Sequence, residues 1–139
     1  AVQYQDGANI STSLTTPFTG NVSGICPTGW HLPGAAEWSA LTSLMGVSSV
    51  AGGALKSTSG LWNSPNTGAT NSSGFSVLPG GYRGTGGILT PPGYFANFWT
   101  SDELSSSYSA SYYLNYNSSV INQDTSGKNF GFSARCIKD

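Results

Sequence analysis

The two halves of a predicted disulfide clasp are Cys26-Pro27-Thr28-Gly29-Trp30-His31-Leu32-Pro33 and Gly131-Phe132-Ser133-Ala134-Arg135-Cys136. Each half holds one of the chain's two cysteines, and the patterned part of the sequence lies between them. Cytosolic chains seldom place their only cysteines at both borders of a domain, so we predict a Cys26–Cys136 disulfide, with two buried free thiols as the alternative. Closure of so long a loop contributes roughly 4–5 kcal/mol, a large share of the stability of a small domain.

The composition makes two classes of partner unexpected. The 139 residues fit a single domain with one core. A charged fraction of 8% and a net charge of −1 give no basic surface for nucleic acid or anionic lipid. No apolar run is long enough for membrane insertion, and the start at Ala1-Val2-Gln3-Tyr4 does not resemble a signal peptide. Because Ser, Thr, Asn and Gly carry the polar surface, we expect an extracellular or cell-surface location, as a mature product or a piece of a longer surface protein.

Residues 1–24 are predicted to be an N-terminal strand and a linker. Val2-Gln3-Tyr4-Gln5 alternates apolar and polar residues and runs into the turn signal Asp6-Gly7, as a short strand does. Residues 9–24 are rich in Ser, Thr, Asn and Gly, which predicts a loop or an extended, stalk-proximal linker. Residues 25–139 are then expected to form the recognition domain.

One clear helix and one weaker helix are predicted next. Pro33 is compatible with a first turn, Gly46 ends the pattern, and apolar residues recur at three- and four-residue spacing around Ala35–Leu44. The recurring residues are Trp38, Leu41, Leu44 and Met45, of which Trp38 and Leu41 are expected to face the core. A second short helix or turn is predicted over Val50–Lys56, where Gly52-Gly53 weakens the helix by about 1 kcal/mol per glycine.

Strands are predicted in the later part of the chain. Alternation or aromatic, β-prone composition marks Phe75–Pro79, Phe95–Ser101 and Tyr112–Tyr116. Val120-Ile121 leads to a predicted turn over Asp124–Lys128, because Asp, Ser and Gly favour chain reversal. One early helix, long loops and a cluster of late antiparallel strands predict the fold class α+β.

A series of motifs follows in order along the chain. They are Cys26-Pro27-Thr28-Gly29-Trp30-His31-Leu32-Pro33, Ala36-Glu37-Trp38, Leu55-Lys56, Pro65-Asn66-Thr67-Gly68-Ala69-Thr70-Asn71, Gly74-Phe75, Leu78-Pro79-Gly80-Gly81-Tyr82-Arg83, Phe98-Trp99-Thr100-Ser101 and Gly131-Phe132-Ser133-Ala134-Arg135-Cys136. Together they resemble the Fibrobacter succinogenes major paralogous domain, and the resemblance covers roughly residues 25–139. So many ordered motifs are much more specific than any single one.

The resemblance implies both a fold and a setting. The family is similar in pattern to the C-type lectin-like and sulfatase-modifying-factor folds, in which N- and C-terminal strands pair and a loop-rich half carries the ligand face. It implies an exported bacterial protein, often at the end of a surface or fibre protein.

Catalytic and metal chemistry have few candidates in this sequence. His31 is the only histidine and lies between two apolar residues of the clasp, so we expect a satisfied core or packing role for it, with a catalytic role as the alternative. Sulfatase-modifying enzymes rely on active-site cysteines, and the predicted disulfide uses both thiols. Asp102-Glu103 is a candidate calcium site, because hard cations need several oxygen ligands held together; a solvated acidic turn is the alternative. We therefore expect no catalytic residue, no metal and no cofactor, and keep calcium as the alternative.

A binding surface is predicted between Ser105 and Asn129, where Tyr, Asn and Ser are frequent. Tyr supplies rigid amphipathic area and Ser and Asn supply adaptable hydrogen bonds, as in antibody paratopes. Strand alternation turns Tyr112, Leu114 and Tyr116 inward, and the outward set is then Ser111, Tyr113, Asn115 and Asn117. The candidate ligand-binding residues are Tyr108, Ser111, Tyr113, Asn115, Asn117, Asn122, Asp124 and Asn129, together with Trp99 and Asp102. A polar sheet face that is merely soluble is the alternative.

The function expected from these features is non-catalytic recognition by a bacterial adhesin or fibre tip. Its expected partner is a glycan or a surface protein of a target cell, bound through Tyr113, Asn115, Asn117 and neighbouring loops. Two alternatives stay open: an enzyme of the sulfatase-modifying type, and an assembly module that packs its Tyr-rich face in a homo-oligomeric fibre, for example a trimer.

Overall fold

The protein is an α+β domain in the computed structural model, which describes residues 24–139. The elements follow in the order β1 (Trp30–His31), α1 (Ala35–Leu44), α2 (Ser48–Leu55), β2 (Phe95–Glu103), β3 (Tyr108–Asn115), β4 (Ile121–Gly127) and β5 (Ile137–Lys138). Neither described helix is long and apolar enough to cross a bilayer. The strand predicted at residues 2–5 and the linker predicted after it lie outside the described residues.

The clasp is closed as predicted. A disulfide joins Cys26 to Cys136, which are 110 positions apart in sequence and have their Cα atoms 5.8 Å apart. Beside it, β1 and β5 pair antiparallel, and Trp30 lies opposite Lys138. A loop of this length contributes about 4–5 kcal/mol when it is closed in the unfolded chain. The two borders of the domain are thus joined both covalently and by backbone pairing.

Helix α1 has the bounds that the sequence predicts, Ala35–Leu44. The side chain of Glu37 accepts a hydrogen bond from the Gly34 backbone N–H at 2.9 Å, and Asp102 accepts one from the Ala35 N–H at 2.5 Å. Both acceptors satisfy N–H groups that a helix start leaves unpaired, and both charges suit the positive end of the helix dipole. The core-facing prediction holds for Trp38, which is buried, while Leu41 is half-buried.

Helix α2 runs over Ser48–Leu55, close to the predicted Val50–Lys56, and its two glycines have a packing reason. A Cβ atom on Gly52 would lie 2.6 Å from the Val120 carbonyl oxygen, and one on Gly53 would collide with the Gly68 carbonyl. The Gly53 N–H also donates to the Ser119 carbonyl at 3.1 Å. Glycine lowers the helix propensity at these two positions, but the absence of a side chain lets the helix backbone contact two loops directly.

The central sheet is antiparallel with the strand order β2-β3-β4. Phe98, Tyr112 and Gln123 lie side by side across the three strands, and Leu114 lies opposite Ile121. One sheet face carries Phe98, Tyr112 and Leu114 against a buried cluster that includes Trp38, Leu55 and Trp62. On β2, Trp99 points to the opposite face and packs against Phe132, with ring centroids 4.5 Å apart. The sheet is therefore covered on both faces near the clasp.

Two sequence predictions need correction. No strand forms over Phe75–Pro79: Val77 makes a single bridge with Lys56, and Ser76 has a positive φ of 56° that breaks the extended chain. The turn predicted over Asp124–Lys128 is wrong as well, because β4 continues to Gly127 and pairs with β3 throughout. Ser126 is buried, and its hydroxyl group is hydrogen-bonded to that of Ser111 at 2.9 Å. The pairing of β4 with β3 therefore outweighs the turn propensity of this segment.

The outer edge of β2 is paired with two loop segments. The Gly81 N–H donates to the Phe95 carbonyl at 2.8 Å, and Ser133 exchanges backbone hydrogen bonds with Asn97 and Trp99 at 2.9 and 3.0 Å. Gly81 has a φ of +70°, and a Cβ there would lie 2.5 Å from the Thr90 carbonyl oxygen, so this close approach requires glycine. The second half of the clasp is thereby added to the sheet beside Trp99.

Candidate functional site

One face of the β3–β4 sheet carries four of the predicted binding residues: Tyr113, Asn115, Asn122 and Asp124. Asn97, Tyr113 and Asn122 form one row across the three strands, and Ser111 and Asp124 lie opposite each other in the next row. Because directly opposed residues share a face, β2 contributes Asn97 to this surface. We call the set Asn97, Tyr113, Asn115, Asn122 and Asp124 the tyrosine–amide face.

Two amide groups of the tyrosine–amide face are buried without a hydrogen-bond partner among residues 24–139. They are the Asn97 Nδ2 donor and the Asn115 Oδ1 acceptor. An unmet buried polar atom costs about 1–3 kcal/mol, so native proteins keep few of them. Asn97 lies opposite Tyr113 and Asn115 lies two residues beyond it, so both unmet groups flank one half-buried tyrosine. Since no group within the described part of the chain uses this donor or this acceptor, an ordered water or a ligand hydroxyl group that enters beside Tyr113 can satisfy them.

Ser111 belongs to the same face but is closed off from solvent. Its side chain was expected to point outward and be accessible, and it is 2% exposed. Its hydroxyl group is hydrogen-bonded to the Ser126 hydroxyl at 2.9 Å, and this bond links the side chains of β3 and β4. Of the predicted inward set, Tyr112 and Leu114 are buried as expected, while Tyr116 is half-buried and makes an edge contact with Tyr94 at 5.4 Å.

The structure places most of the remaining candidate residues away from the tyrosine–amide face. Tyr108 and Asn129 line a separate cleft of about 490 Å³ at the other end of the sheet. Asn117 is exposed in the β3–β4 connection. Trp99 lies opposite Ser111, on the same side of the sheet as Tyr113, but it is a core residue that is 2% exposed. The Asp102 carboxylate caps α1 through the Ala35 N–H.

Lys56, which the sequence marks only as part of the Leu55-Lys56 motif, supports the base of the tyrosine–amide face. Its ammonium group is fully buried and donates to the carbonyl oxygens of Thr67, Asn115 and Ser118 at 2.8, 3.2 and 2.9 Å. It also lies 5.3 Å from the centroid of the Trp62 ring. Burial lowers the pKa of Lys56 to about 8, because the interior solvates the charge less well than water. One side chain therefore joins the loop at residue 67 to the end of β3 and the turn after it.

His31 is held between two carboxylates next to the clasp. Its Nε2 lies 2.9 Å from Glu37 Oε1 and its Nδ1 lies 2.6 Å from Asp139 Oδ1. The hydrogen bond to Glu37 raises the pKa of His31, burial opposes this effect, and Asp139 adds to it. Burial alone would raise the pKa of Glu37, but the hydrogen bonds from His31 and from the Gly34 N–H lower it. The ring thereby connects β1 to the start of α1 and to Asp139, and the packing role expected for His31 stays a prediction.

No group of three or more His, Cys, Asp or Glu side chains that could hold a metal ion occurs within residues 24–139. The two carboxylates of the candidate calcium site, Asp102 and Glu103, each contact a different partner within the protein. Asp102 caps α1, and Glu103 forms an ion pair with Lys128.

A second concave site, which no sequence pattern predicted, lies beside the clasp. This aromatic cleft has a volume of about 290 Å³, and its lining is mostly apolar. The lining residues are Trp30, Pro33, Glu37, Trp38, Leu41, Phe75, Arg135, Cys136, Ile137 and Lys138. They come from both ends of the domain and from the loop between α2 and β2, so no local sequence pattern could have grouped them.

The comparison with family models assigns the chain. A model described as Fibrobacter succinogenes major domain matches residues 6–138. The chain belongs to this family. Searches of the curated proteins and of the solved structures each returned no match.

In this Fibrobacter succinogenes major domain, the motifs that carried the resemblance have structural roles that can be named. Arg83 and Gly131 exchange two backbone hydrogen bonds, at 2.8 and 2.9 Å, which join the glycine-tyrosine motif to the second half of the clasp. Lys56 of the Leu-Lys motif donates hydrogen bonds to three backbone carbonyl oxygens. The motifs thus build the frame that supports the tyrosine–amide face.

Proposed function

We propose that this domain is a non-catalytic recognition module of a bacterial surface or fibre protein, acting outside the cell as an adhesin tip with a lectin-like fold. It binds a glycan or another cell-surface ligand through the tyrosine–amide face. One observation carries the proposal: the unmet Asn97 donor and the unmet Asn115 acceptor flank Tyr113 on the same face. Each unmet atom costs about 1–3 kcal/mol, and no partner for either occurs among the described residues.

The chemistry of the face suits a sugar. A sugar ring presents an apolar C–H face, which stacks on an aromatic side chain such as Tyr113, and hydroxyl groups that both donate and accept. An amide N–H and an amide carbonyl on either side of the aromatic ring match that combination. The exposed Asp124 and the half-buried Asn122 add further polar groups along β4.

The surroundings of the face favour binding over catalysis. Both cysteines are in the disulfide, so a thiol-dependent reaction of the sulfatase-modifying type has no free cysteine within the described chain. His31 is committed to Glu37 and Asp139 and lies at the clasp. Lys56 and the disulfide hold the strand ends in place, which reduces the conformational entropy lost when a ligand binds.

A glycan array compared across three proteins tests the proposal. The Tyr113→Ala/Asn115→Ala pair removes the ring and the unmet acceptor, and we expect at least a tenfold loss of binding relative to wild type. The control is Tyr108→Ala/Asn129→Ala, which removes the same two residue types from the separate cleft and should leave binding unchanged. Thermal unfolding of all three proteins checks that they are folded.

Two results would contradict the proposal. One is full binding by the Tyr113→Ala/Asn115→Ala pair. The other is a solution mass showing a homo-oligomer, such as a trimer, in which Tyr113 is protected from solvent, because the face would then be an assembly surface.

A further inference from the structure

The aromatic cleft beside the clasp is distinct from the tyrosine–amide face. Its walls are formed by Trp30 of β1, Trp38 and Leu41 of α1, Phe75 of the long loop and Ile137 of β5. Trp30 and Ile137 are each 40% exposed. The Trp38 and Phe75 rings meet edge to face, with centroids 5.9 Å apart. An apolar cleft with a few polar groups is the usual form of a small-molecule site, and its volume of about 290 Å³ lies at the small end of such sites.

The charges around the cleft are unbalanced. The chain has five lysines and arginines in all. Lys56 is buried on three carbonyls and Lys128 is paired with Glu103, while Arg83 donates to the Asn129 carbonyl. The other two, Arg135 and Lys138, both line the aromatic cleft.

Neither cation of the cleft has an acidic partner within residues 24–139. The Arg135 guanidinium lies 4.1 Å from the centroid of the Phe75 ring, a stacking contact that leaves its N–H groups available. Glu37 is the acidic residue among the lining side chains, and it already accepts hydrogen bonds from His31 and from the Gly34 N–H. The net effect is a positive edge on an apolar cleft.

We propose that the aromatic cleft binds a small organic anion: a carboxylate attached to a branched aliphatic or aromatic group, as at the C-terminal residue of a peptide. The apolar group fills the space between Trp30, Phe75 and Ile137, and the carboxylate pairs with Arg135 and Lys138. A neutral sugar fits this site poorly, because the lining includes no Asn or Gln side chain. The inference does not depend on the tyrosine–amide face.

Two matched probes isolate the role of the carboxylate. N-acetyl-L-leucine and N-acetyl-L-leucinamide share the apolar group and differ in charge. The four tryptophans give an internal spatial control, since each contributes one indole N–H signal to a ¹⁵N-correlated NMR spectrum. The acid should shift the signals of Trp30 and Trp38, which line the cleft, at millimolar concentrations, and leave those of Trp62 and Trp99 in place. The amide should bind about threefold to tenfold more weakly, as expected for a partly exposed charge pair.

An arginine substitution then assigns the charge. Arg135→Gln should reduce affinity for the acid by the same threefold to tenfold and leave affinity for the amide unchanged. The control is Arg83→Gln, which removes an exposed arginine outside the cleft lining and should bind both probes as wild type does. Equal shifts with acid and amide, equal loss in both arginine variants, or no shift of Trp30 and Trp38 would each overturn the proposal.

Discussion

Replacement of Lys56 by methionine should change how stability depends on pH. Methionine keeps most of the side-chain length and removes the buried charge. In the folded protein the Lys56 pKa is about 8, against an ordinary value of 10.5 in the unfolded chain. Between these two values the unfolded chain holds a proton that the folded chain has released, so the free energy of unfolding rises with pH because of this group. Below pH 8 both states are protonated, and the full desolvation cost opposes folding.

The size of the effect follows from the shift. A depression of about 2.5 pKa units, at 1.36 kcal/mol per unit, corresponds to about 3 kcal/mol. We therefore expect the free energy of unfolding of wild type minus that of Lys56→Met to increase by about 3 kcal/mol between pH 7.5 and pH 11. Taking this difference removes the tyrosines and other groups that titrate equally in both proteins.

Urea unfolding with the disulfide intact, followed by tryptophan fluorescence at five or six pH values, measures this difference. The Lys138→Met variant removes an exposed lysine and controls for the change in net charge. A wild-type minus Lys56→Met difference that stays flat across the range would refute the reasoning. It would mean that the carbonyls of Thr67, Asn115 and Ser118 hold the ammonium as well as water does.

Two further perturbations have defined outcomes. The pKa of His31 is raised in the folded state, so its protonation stabilises the fold most fully below the ordinary pKa of 6.5, and this stabilisation is lost as pH rises through the folded pKa. The difference in free energy of unfolding between wild type and His31→Gln, measured by urea titration, should therefore shrink from pH 5.5 to pH 9. A difference that grows with pH would contradict the assignment. Gly53→Ala should destabilise the domain by about 1–3 kcal/mol, because the new methyl group would meet the Gly68 carbonyl. The control Gly86→Ala, whose methyl group meets nothing within 4 Å, should change the melting temperature little. Equal melting temperatures for the two alanine variants would show that the loop at Gly68 yields freely.

The regular elements with strong periodicity could be predicted from the sequence, and the polar strands could not. The bounds of α1 agree because Pro33 and Gly46 frame a clear helical repeat. Strand β3 begins at Tyr108, four residues before the predicted strand, because Ser109 and Ser111 are buried by side-chain hydrogen bonds that hydrophobic alternation cannot reveal. The same explanation holds for β4, where Ser126 is buried inside a segment with turn composition.

The candidate sites show a similar division. Alternation along β3 correctly placed Tyr113 and Asn115 on one face, since a period of two is intrinsic to a strand. Asn97 was missed because it stands between apolar and aromatic residues of a strand that looks entirely buried. Lys56 was missed because a lysine at a helix end is usually solvated, and only tertiary structure supplies its three carbonyls. The aromatic cleft depends on segments as distant as Trp30 and Arg135.

The contacts of Lys56 have an evolutionary consequence. All three of its hydrogen-bond acceptors are main-chain oxygens, so the anchoring of Thr67, Asn115 and Ser118 is indifferent to which side chains those positions carry. Mutations can therefore accumulate along the end of β3 and its turn while the architecture beneath them persists. Under the proposed function, the ligand preference of the tyrosine–amide face can therefore change while the fold beneath it stays the same.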